Sequence, residues 1–119
     1  MTTKEMNLKL INTFPEMIQT YHNEVDWQEG DDTGSHVVYG DVLEPYIERL
    51  ILEKNKQKLK DVFSFLESLL ALKEQYIDEV ISFSVIEKMI DKSDSIIYCK
   101  PLMGSMVKGI LDELYKTQR

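Results

Sequence analysis

Acid–base chemistry in this sequence centres on His36 and the carboxylates on either side of it. Asp32 lies four residues before His36 and Asp41 lies five residues after it, so either carboxylate is near enough along the chain to orient the imidazole as a general base. No nucleophile or set of oxyanion donors accompanies this group. One interpretation is a small hydrolase or metal-binding enzyme centred on Asp32, His36 and Asp41. The interpretation that we favour is that His36 hydrogen-bonds across its loop and fixes the shape of that loop.

The tripeptide Asp32-Thr33-Gly34 matches the active-site signature of the aspartic proteases. Those enzymes need two such loops at the ends of strands, so that two carboxylates share one proton. The residues after Gly34 instead have a helical period. We therefore expect a turn that leads into a helix, because Asp and Thr side chains bond local backbone N–H groups and Gly adopts unusual dihedrals. The residues expected to structure this loop are Thr33, Gly34, His36, Gly40 and Asp41.

The sequence gives no specific signal for a metal or another cofactor. Asp31, Asp32, His36 and Asp41 supply suitable ligand atoms, but their spacing fits neither an EF-hand loop nor a His-Glu-x-x-His zinc site. Cys99 is the single cysteine, which excludes an intrachain disulfide and a thiolate cluster. We expect Cys99 to be a small, half-buried hydrophobic residue, and we expect no catalytic residue, no metal and no cofactor.

Negative charge is concentrated in one short stretch. The net charge is -7, and residues 24–41 contribute -6 of it because they hold six acids and no lysine or arginine. Residues 1–23 sum to zero and residues 42–119 sum to -1. Such a surface repels nucleic acid and anionic lipid, so a basic protein surface is the expected partner. The residues expected to bind it are Glu24, Asp26, Trp27, Glu29, Asp31 and Asp32.

Trp27, the only tryptophan, lies among these acids rather than within an apolar period. Tryptophan is enriched at the residues that dominate binding energy in protein interfaces. It is also a large hydrophobic side chain that can pin a loop to the core. Both roles stay open from the sequence.

The elements that position these residues are mostly helical. Apolar spacing predicts a first helix over about 4–13, a second from Pro15 to Val25, and a third that ends at about Lys54. Residues 27–35 form an acidic loop. The third helix has two possible starts: Ser35, with a kink at Pro45, or Asp41 as the N-cap of a capping box, with residues 37–39 briefly extended.

The second half of the chain has the clearest helical period. One helix follows over about 56–74 and another over about 76–90, the latter apolar around much of its girth and therefore central. Residues 91–95 break the pattern, and a last amphipathic helix follows Pro101. The larger apolar set of the fourth helix is expected in the core, or alternatively on a homodimer face: Phe63, Phe65, Leu66, Leu69 and Leu72.

These patterns predict one all-α domain over residues 1–119. Short connections favour antiparallel neighbours, either as stacked helical hairpins of the HEAT type or as an irregular bundle of about six helices. The longest apolar stretch, Val80–Ile86, falls far short of the roughly 20 residues that cross a bilayer. With a polar N-terminal stretch and a lone cysteine, the expected compartment is the cytoplasm.

Residues 27–46 combine Trp27, Asp-Thr-Gly, His-Val, Tyr-Gly-Asp and Pro-Tyr. This pattern resembles a family of small uncharacterised bacterial proteins with the motif Trp-x-x-x-Asp-Thr-Gly-x-His-Val-x-Phe/Tyr-Gly-Asp, although here four residues separate Trp27 from Asp32. The resemblance implies a HEAT-like helical fold without an established activity. Similar small acidic proteins often serve as immunity partners of bacterial toxins. This analogy concerns the kind of protein and carries over no site residue. The later parts of the likeness are Ser84, Val85, Glu87, Met103 and Gly104.

The function expected from the sequence is a non-enzymatic protein-binding module, most concretely an immunity protein that neutralises a basic toxin through the acidic loop. The alternatives are the small hydrolase or metal-binding enzyme described above and a structural module that forms homodimers. Either a monomer or a homodimer is compatible with the sequence.

Overall fold

The computed structural model describes residues 1–117, which form seven helices and no strand. The all-α prediction is confirmed, and of the two predicted architectures the irregular bundle describes the structure. None of these seven helices has the length and apolar character needed to span a membrane. In chain order they are α1 (Thr3–Thr13), α2 (Ile18–Val25, entered through a 3-10 turn, Pro15–Met17), α3 (Ser35–Val38, π-helical Tyr39–Leu43 and Glu44–Leu52 in one run), α4 (Lys56–Leu70), α5 (Gln75–Glu79, π-helical Val80–Ile86 and Glu87–Ile90 in one run), α6 (Ser93–Cys99, followed by a 3-10 turn, Lys100–Leu102) and α7 (Ser105–Thr117).

Local capping signals explain where several helices begin. Thr2 and Glu5 form a reciprocal capping box at the start of α1, with each side chain accepting the other's backbone N–H. Asn55 caps α4 by accepting a hydrogen bond from the backbone N–H of Lys58. Pro15 lies in the first turn of the second helical segment, where its missing N–H is not needed.

The third helix begins at Ser35, so the prediction that Asp41 caps it and the prediction of an extended segment before Gly40 are both wrong. In a regular α-helix the ring of Pro45 would collide with the carbonyl of residue 41 and remove one hydrogen bond. A π-helical turn over Tyr39–Leu43 precedes Pro45 and leaves it near the start of a new α-helical segment. The turn thus accommodates the proline within one continuous helix.

The fifth helix is the central one, as its apolar pattern predicts. Ile77, Val80, Ile81, Val85 and Ile86 are completely buried, and α5 contacts both α3 and α7. Its middle section, Val80–Ile86, is also π-helical, so two π turns meet where α3 and α5 pack together. Such turns are rare and occur frequently at functional sites.

A short helix, α6, lies where the sequence predicts only a break. Its buried residues Ile96 and Cys99 are too few to establish a period. Cys99 is completely buried rather than half-buried, and this burial raises the pKa of its thiol to about 12. The thiol is therefore inert at neutral pH.

The Met103-Gly104 pair has a structural role at the start of α7. Both carboxylate oxygens of Glu67 accept hydrogen bonds there, at 2.7 Å from the N–H of Met106 and 3.2 Å from that of Val107. A Cβ atom at Gly104 would lie 2.5 Å from the Glu67 carboxyl group. Glycine at this position lets the α4 carboxylate reach the exposed N–H groups of α7.

A buried and a partly buried glutamate join α3 to α6. Glu44 is only 2% exposed, and its Oε1 accepts a hydrogen bond of 2.8 Å from Lys92. Glu48, one turn later, accepts a hydrogen bond from the Ser95 hydroxyl. The Oε2 atoms of Glu44 and Glu48 are buried without another donor. Burial, and then hydrogen bonding between the two carboxyls, raise the pKa of Glu44, so the pair holds a proton more tightly than ordinary carboxyls do.

This pair predicts how stability depends on pH. The pKa of Glu44 is higher in the folded state than its ordinary value of 4.5. Between these two pKa values the folded state binds more protons than the unfolded state, so the free energy of unfolding falls as pH rises through this range. Glu44→Gln stays neutral, keeps an acceptor for Lys92 and offers an N–H to Glu48. We expect it to reduce this decline and to gain about 1 kcal/mol at pH 7. Urea unfolding at pH 5 and pH 7 measures both effects.

Glu53→Gln, at an exposed position near the end of α3, is the matched control and should follow the parent at both pH values. A loss of several kcal/mol by Glu44→Gln at pH 7 would contradict the prediction. It would mean that Glu44 is ionised and that its ion pair with Lys92 dominates.

Candidate protein-binding site

Buried Asn7 anchors the acidic loop to α1. Its amide nitrogen donates hydrogen bonds to the backbone carbonyls of Asp31, at 3.0 Å, and Thr33, at 2.7 Å. Its amide oxygen accepts a hydrogen bond of 2.9 Å from the Ser35 hydroxyl at the start of α3. One side chain therefore satisfies the backbone on both sides of Asp32 and holds the loop against the core.

Further hydrogen bonds fix the shape of the loop. The hydroxyl of Tyr21 donates to Asp31 Oδ1 at 2.7 Å, and the Oγ1 of Thr33 accepts from the N–H of Glu29 at 3.2 Å. Burial and this contact with Asp31 raise the pKa of Tyr21, which therefore remains a donor. Gly30, not Gly34, adopts the left-handed conformation, with φ of +58° against an ordinary -49° at Gly34. The unusual dihedral expected of Gly34 thus lies four residues earlier.

His36 points away from the loop. Its Nδ1 lies 2.9 Å from the Ser84 hydroxyl on α5, and its ring packs nearly perpendicular to that of Tyr76. Within residues 1–117, neither Asp32 nor Asp41 is hydrogen-bonded to the imidazole. The predicted hydrogen bond across the loop is not formed, because the first turn of α3 directs the ring towards α5.

Gly40 and Asp41 lie inside the π turn of α3 and not in the loop. Lys88 of α5 donates a hydrogen bond of 2.8 Å to the carbonyl of Gly40, and its Nζ lies 3.3 Å from Asp41. A Cβ atom at Gly40 would sit 3.2 Å from that lysine nitrogen. Gly40 therefore permits close packing of α3 and α5. A hydrogen bond with Asp41, followed by burial, raises the pKa of neighbouring Glu24, so the acidic surface reaches this turn.

Trp27 projects into solvent. It is 74% exposed, so the interpretation that it pins the loop to the core is wrong. Its backbone follows α2 directly, where the N–H of Gln28 donates to the carbonyl of Val25. The indole is thus carried on a well-anchored segment. Because the backbone that carries the indole is already ordered, covering it by a partner costs less backbone entropy than ordering a free loop.

The carboxylates around Trp27 have few positive neighbours. Among residues 1–117, no lysine or arginine nitrogen lies within 4 Å of a carboxylate of the acidic loop or of Glu24 and Asp26. Asp26 is paired with His22, at 3.0 Å, and both side chains are largely exposed. Asp31 is engaged by Tyr21. The exposed carboxylates free to meet another molecule are therefore those of Asp26, Glu29 and Asp32.

This arrangement suits cationic groups. The face of an indole attracts ammonium and guanidinium groups, and carboxylates beside it add charge-assisted hydrogen bonds. The structure thus brings Trp27 together with Asp26, Glu29 and Asp32 on one exposed segment. It separates His36, Gly40 and Asp41 from that segment, since these three residues face α5.

The surroundings of the Asp-Thr-Gly tripeptide differ from those in a protease. Residues 30–32 form a 3-10 turn, Gly34 precedes α3, and residues 1–117 contain no strand. The tripeptide therefore lacks the β-structure that the aspartic protease mechanism requires. No group of three or more potential metal-ligating side chains occurs within residues 1–117.

Several residues that fix the loop or the helix after it have only weak signals in the sequence. Asn7 is a polar residue beside Met6 on the apolar face of α1, and this position is the one feature of the sequence that points to a structural role for Asn7. Ser84 falls in an apolar period and reads as a core position. Lys88 reads as a solvated charge. Each acts through a contact with α3 or its preceding loop, more than 25 residues away in sequence.

The fold and the site together define a small helical protein with an exposed acidic loop that carries a tryptophan and is held to the helices by hydrogen bonds. Residues 7–117 match the family described as Domain of unknown function (DUF7674), and the chain belongs to this family. Comparisons with curated proteins and with solved structures gave no match.

Proposed function

We propose that this chain is a non-enzymatic protein-binding module whose acidic loop binds a basic protein surface. The observation that supports this function best is the exposure of Trp27 among carboxylates without lysine or arginine neighbours in the described residues. An exposed tryptophan on a fixed segment has little structural benefit for the folded chain. It gives contact area to a partner, and the carboxylates give that partner its charge preference.

The distribution of charge supports the same function. Six of the seven net negative charges come from residues 24–41, so the rest of the surface is nearly balanced. A concentrated field steers a basic partner towards this face and accelerates the encounter. Nucleic acid and anionic membranes are repelled by the same field.

The most concrete version of this function is the neutralisation of a basic toxin. It rests on the analogy with small acidic proteins that serve as immunity partners of toxins. The acidic loop would cover cationic residues that the toxin needs for its own substrate. A toxin gene beside the gene for this chain would support this version over other basic partners.

The charge dependence can be tested by removing three negative charges from the site. Asp26→Asn, Glu29→Gln and Asp32→Asn change exposed side chains that do not anchor the loop, whereas Asp31 is left intact for Tyr21. With the combined variant as bait, we expect capture of the basic partner from the native host to be lost. With the isolated partner, association should slow by about 10-fold at low salt, and less at physiological salt, where screening acts over about 8 Å.

A matched control removes three negative charges elsewhere. Glu53→Gln, Asp91→Asn and Asp112→Asn are exposed, and their side chains have no hydrogen bonds within the described residues. We expect this control to capture the partner as the parent does, with a similar association rate. Equal capture by the site variant and the parent would contradict the proposed surface.

A further inference from the structure

A groove on another part of the molecule lies between the end of α4, α5 and α7. Its volume is about 620 Å³, which is within the range of binding sites. The groove shares no residue with the acidic loop. Its apolar lining comes from all three helices and consists of Leu70, Phe83, Met106, Ile110 and Leu114.

Phe83 is out of place on the central helix. Its neighbours Val80, Ile81 and Val85 are completely buried, whereas Phe83 is 54% exposed at the edge of the groove. An aromatic ring exposed beside an apolar groove marks a surface that another molecule covers. Folding of the monomer does not explain the ring.

Gly109 gives a second, independent sign. It lies within α7 and lines the groove, although glycine weakens a helix. A Cβ atom built on Gly109 meets nothing within 4 Å, so the monomer has no steric need for glycine here. Glycine at an open helical position allows another molecule to approach the backbone closely.

The charges beside the groove have both signs. Lys73, Asp78 and Glu113 line it. Glu113 pairs with Lys116, whereas neither Lys73 nor Asp78 has an oppositely charged partner within 4 Å among residues 1–117. A basic peptide would leave Lys73 opposed by like charge, and an acidic peptide would do the same to Asp78. A surface of the same composition satisfies both, because each lysine can meet the other surface's aspartate.

We propose that the occupant of this groove is a second copy of the chain, in a two-fold symmetric dimer. Each copy supplies the projecting ring of Phe83 and the open position at Gly109, and reciprocal pairs form between Lys73 of one copy and Asp78 of the other. Such self-complementarity is what an isologous interface requires. The acidic residues 24–41 do not line the groove, so their mutual repulsion is not concentrated there.

Sedimentation equilibrium of the full chain over a concentration series tests this dimer. The parent should dimerise, and Phe83→Asp should weaken dimerisation by at least about 10-fold while keeping its helical circular dichroism. Gly109→Leu should weaken it as well, by filling the position where the other copy approaches. Ile97→Asp, at a side chain that is 71% exposed outside the groove, should dimerise like the parent.

A charge swap makes the pairing specific. Lys73→Asp alone and Asp78→Lys alone should each weaken the dimer, and the two together should restore it. A parent that stays monomeric across the series would overturn the proposal, as would a Phe83→Asp variant that dimerises normally. Binding of a hydrophobic dye or of a helical peptide to a monomeric parent, lost in Phe83→Asp, would assign the groove to that other class of occupant.

Discussion

Leu66→Asp is expected to unfold the protein. Leu66 is completely buried on α4, and an aspartate there places an unpaired charge in the core at a cost of several kcal/mol. Domains of this size have total stabilities of about 5–15 kcal/mol, so most of the folded population should be lost. Val80→Asp on α5 should have the same effect. Far-UV circular dichroism and a thermal melt measure the loss of helix and of cooperativity.

The matched control is Leu52→Asp, because Leu52 ends α3 with 84% of its surface exposed. This variant should retain the parent's spectrum and nearly its melting temperature. A cooperative melt of Leu66→Asp close to that of the parent would show that the buried face of α4 has been wrongly assigned.

Trp27→Ala should increase the dissociation rate of the basic partner. If the indole is covered at the centre of the interface, its loss costs about 2 kcal/mol or more, which corresponds to roughly a 30-fold weaker complex. Most of the change should appear in dissociation, in contrast to the charge variant, which acts on association. Real-time binding to the immobilised partner separates the two rates.

Ile97→Ala is the control for exposed apolar area, since Ile97 lies on α6 and is as exposed as Trp27. It should leave both rates unchanged. An unaltered dissociation rate for Trp27→Ala would place the contact on another part of the surface.

The helices were predictable because their information is local. A residue on a helix repeats its environment every three or four positions, so Leu59, Val62 and Leu66 identify the buried face of α4 without knowledge of what covers it. The turn at Pro15 is equally local. Helix α6 escaped prediction because a seven-residue helix with few buried positions has no measurable period.

Contacts between distant segments were not predictable in the same way. The start of α3 depended on how Pro45 is tolerated, and the answer is a π turn that packs against another π turn in α5. His36 was expected to form a hydrogen bond within its loop. Because α3 begins at Ser35, His36 lies in the first helical turn and its ring is directed to Ser84. The burial that raises the pKa of Glu44 arises only once α6 packs against α3.

The candidate site was predictable in part. Its charge follows from composition, so Asp26, Glu29 and Asp32 were identifiable as a surface that favours basic partners. Asn7 and Tyr21 hold the loop against the core through Asp31, while the indole of Trp27 lies in solvent. An isolated tryptophan in a sequence does not reveal which side of such a loop it occupies.

Trp27 also provides the most direct test of the proposed function, because it is the only tryptophan in the chain. Its fluorescence emission and its quenching by acrylamide report on this one position of the surface. When the captured basic partner is added in a tryptophan-free form, we predict a blue-shifted emission and protection from the quencher. A complex that forms with full affinity while the emission and quenching of Trp27 stay at their free values would contradict binding through the acidic loop.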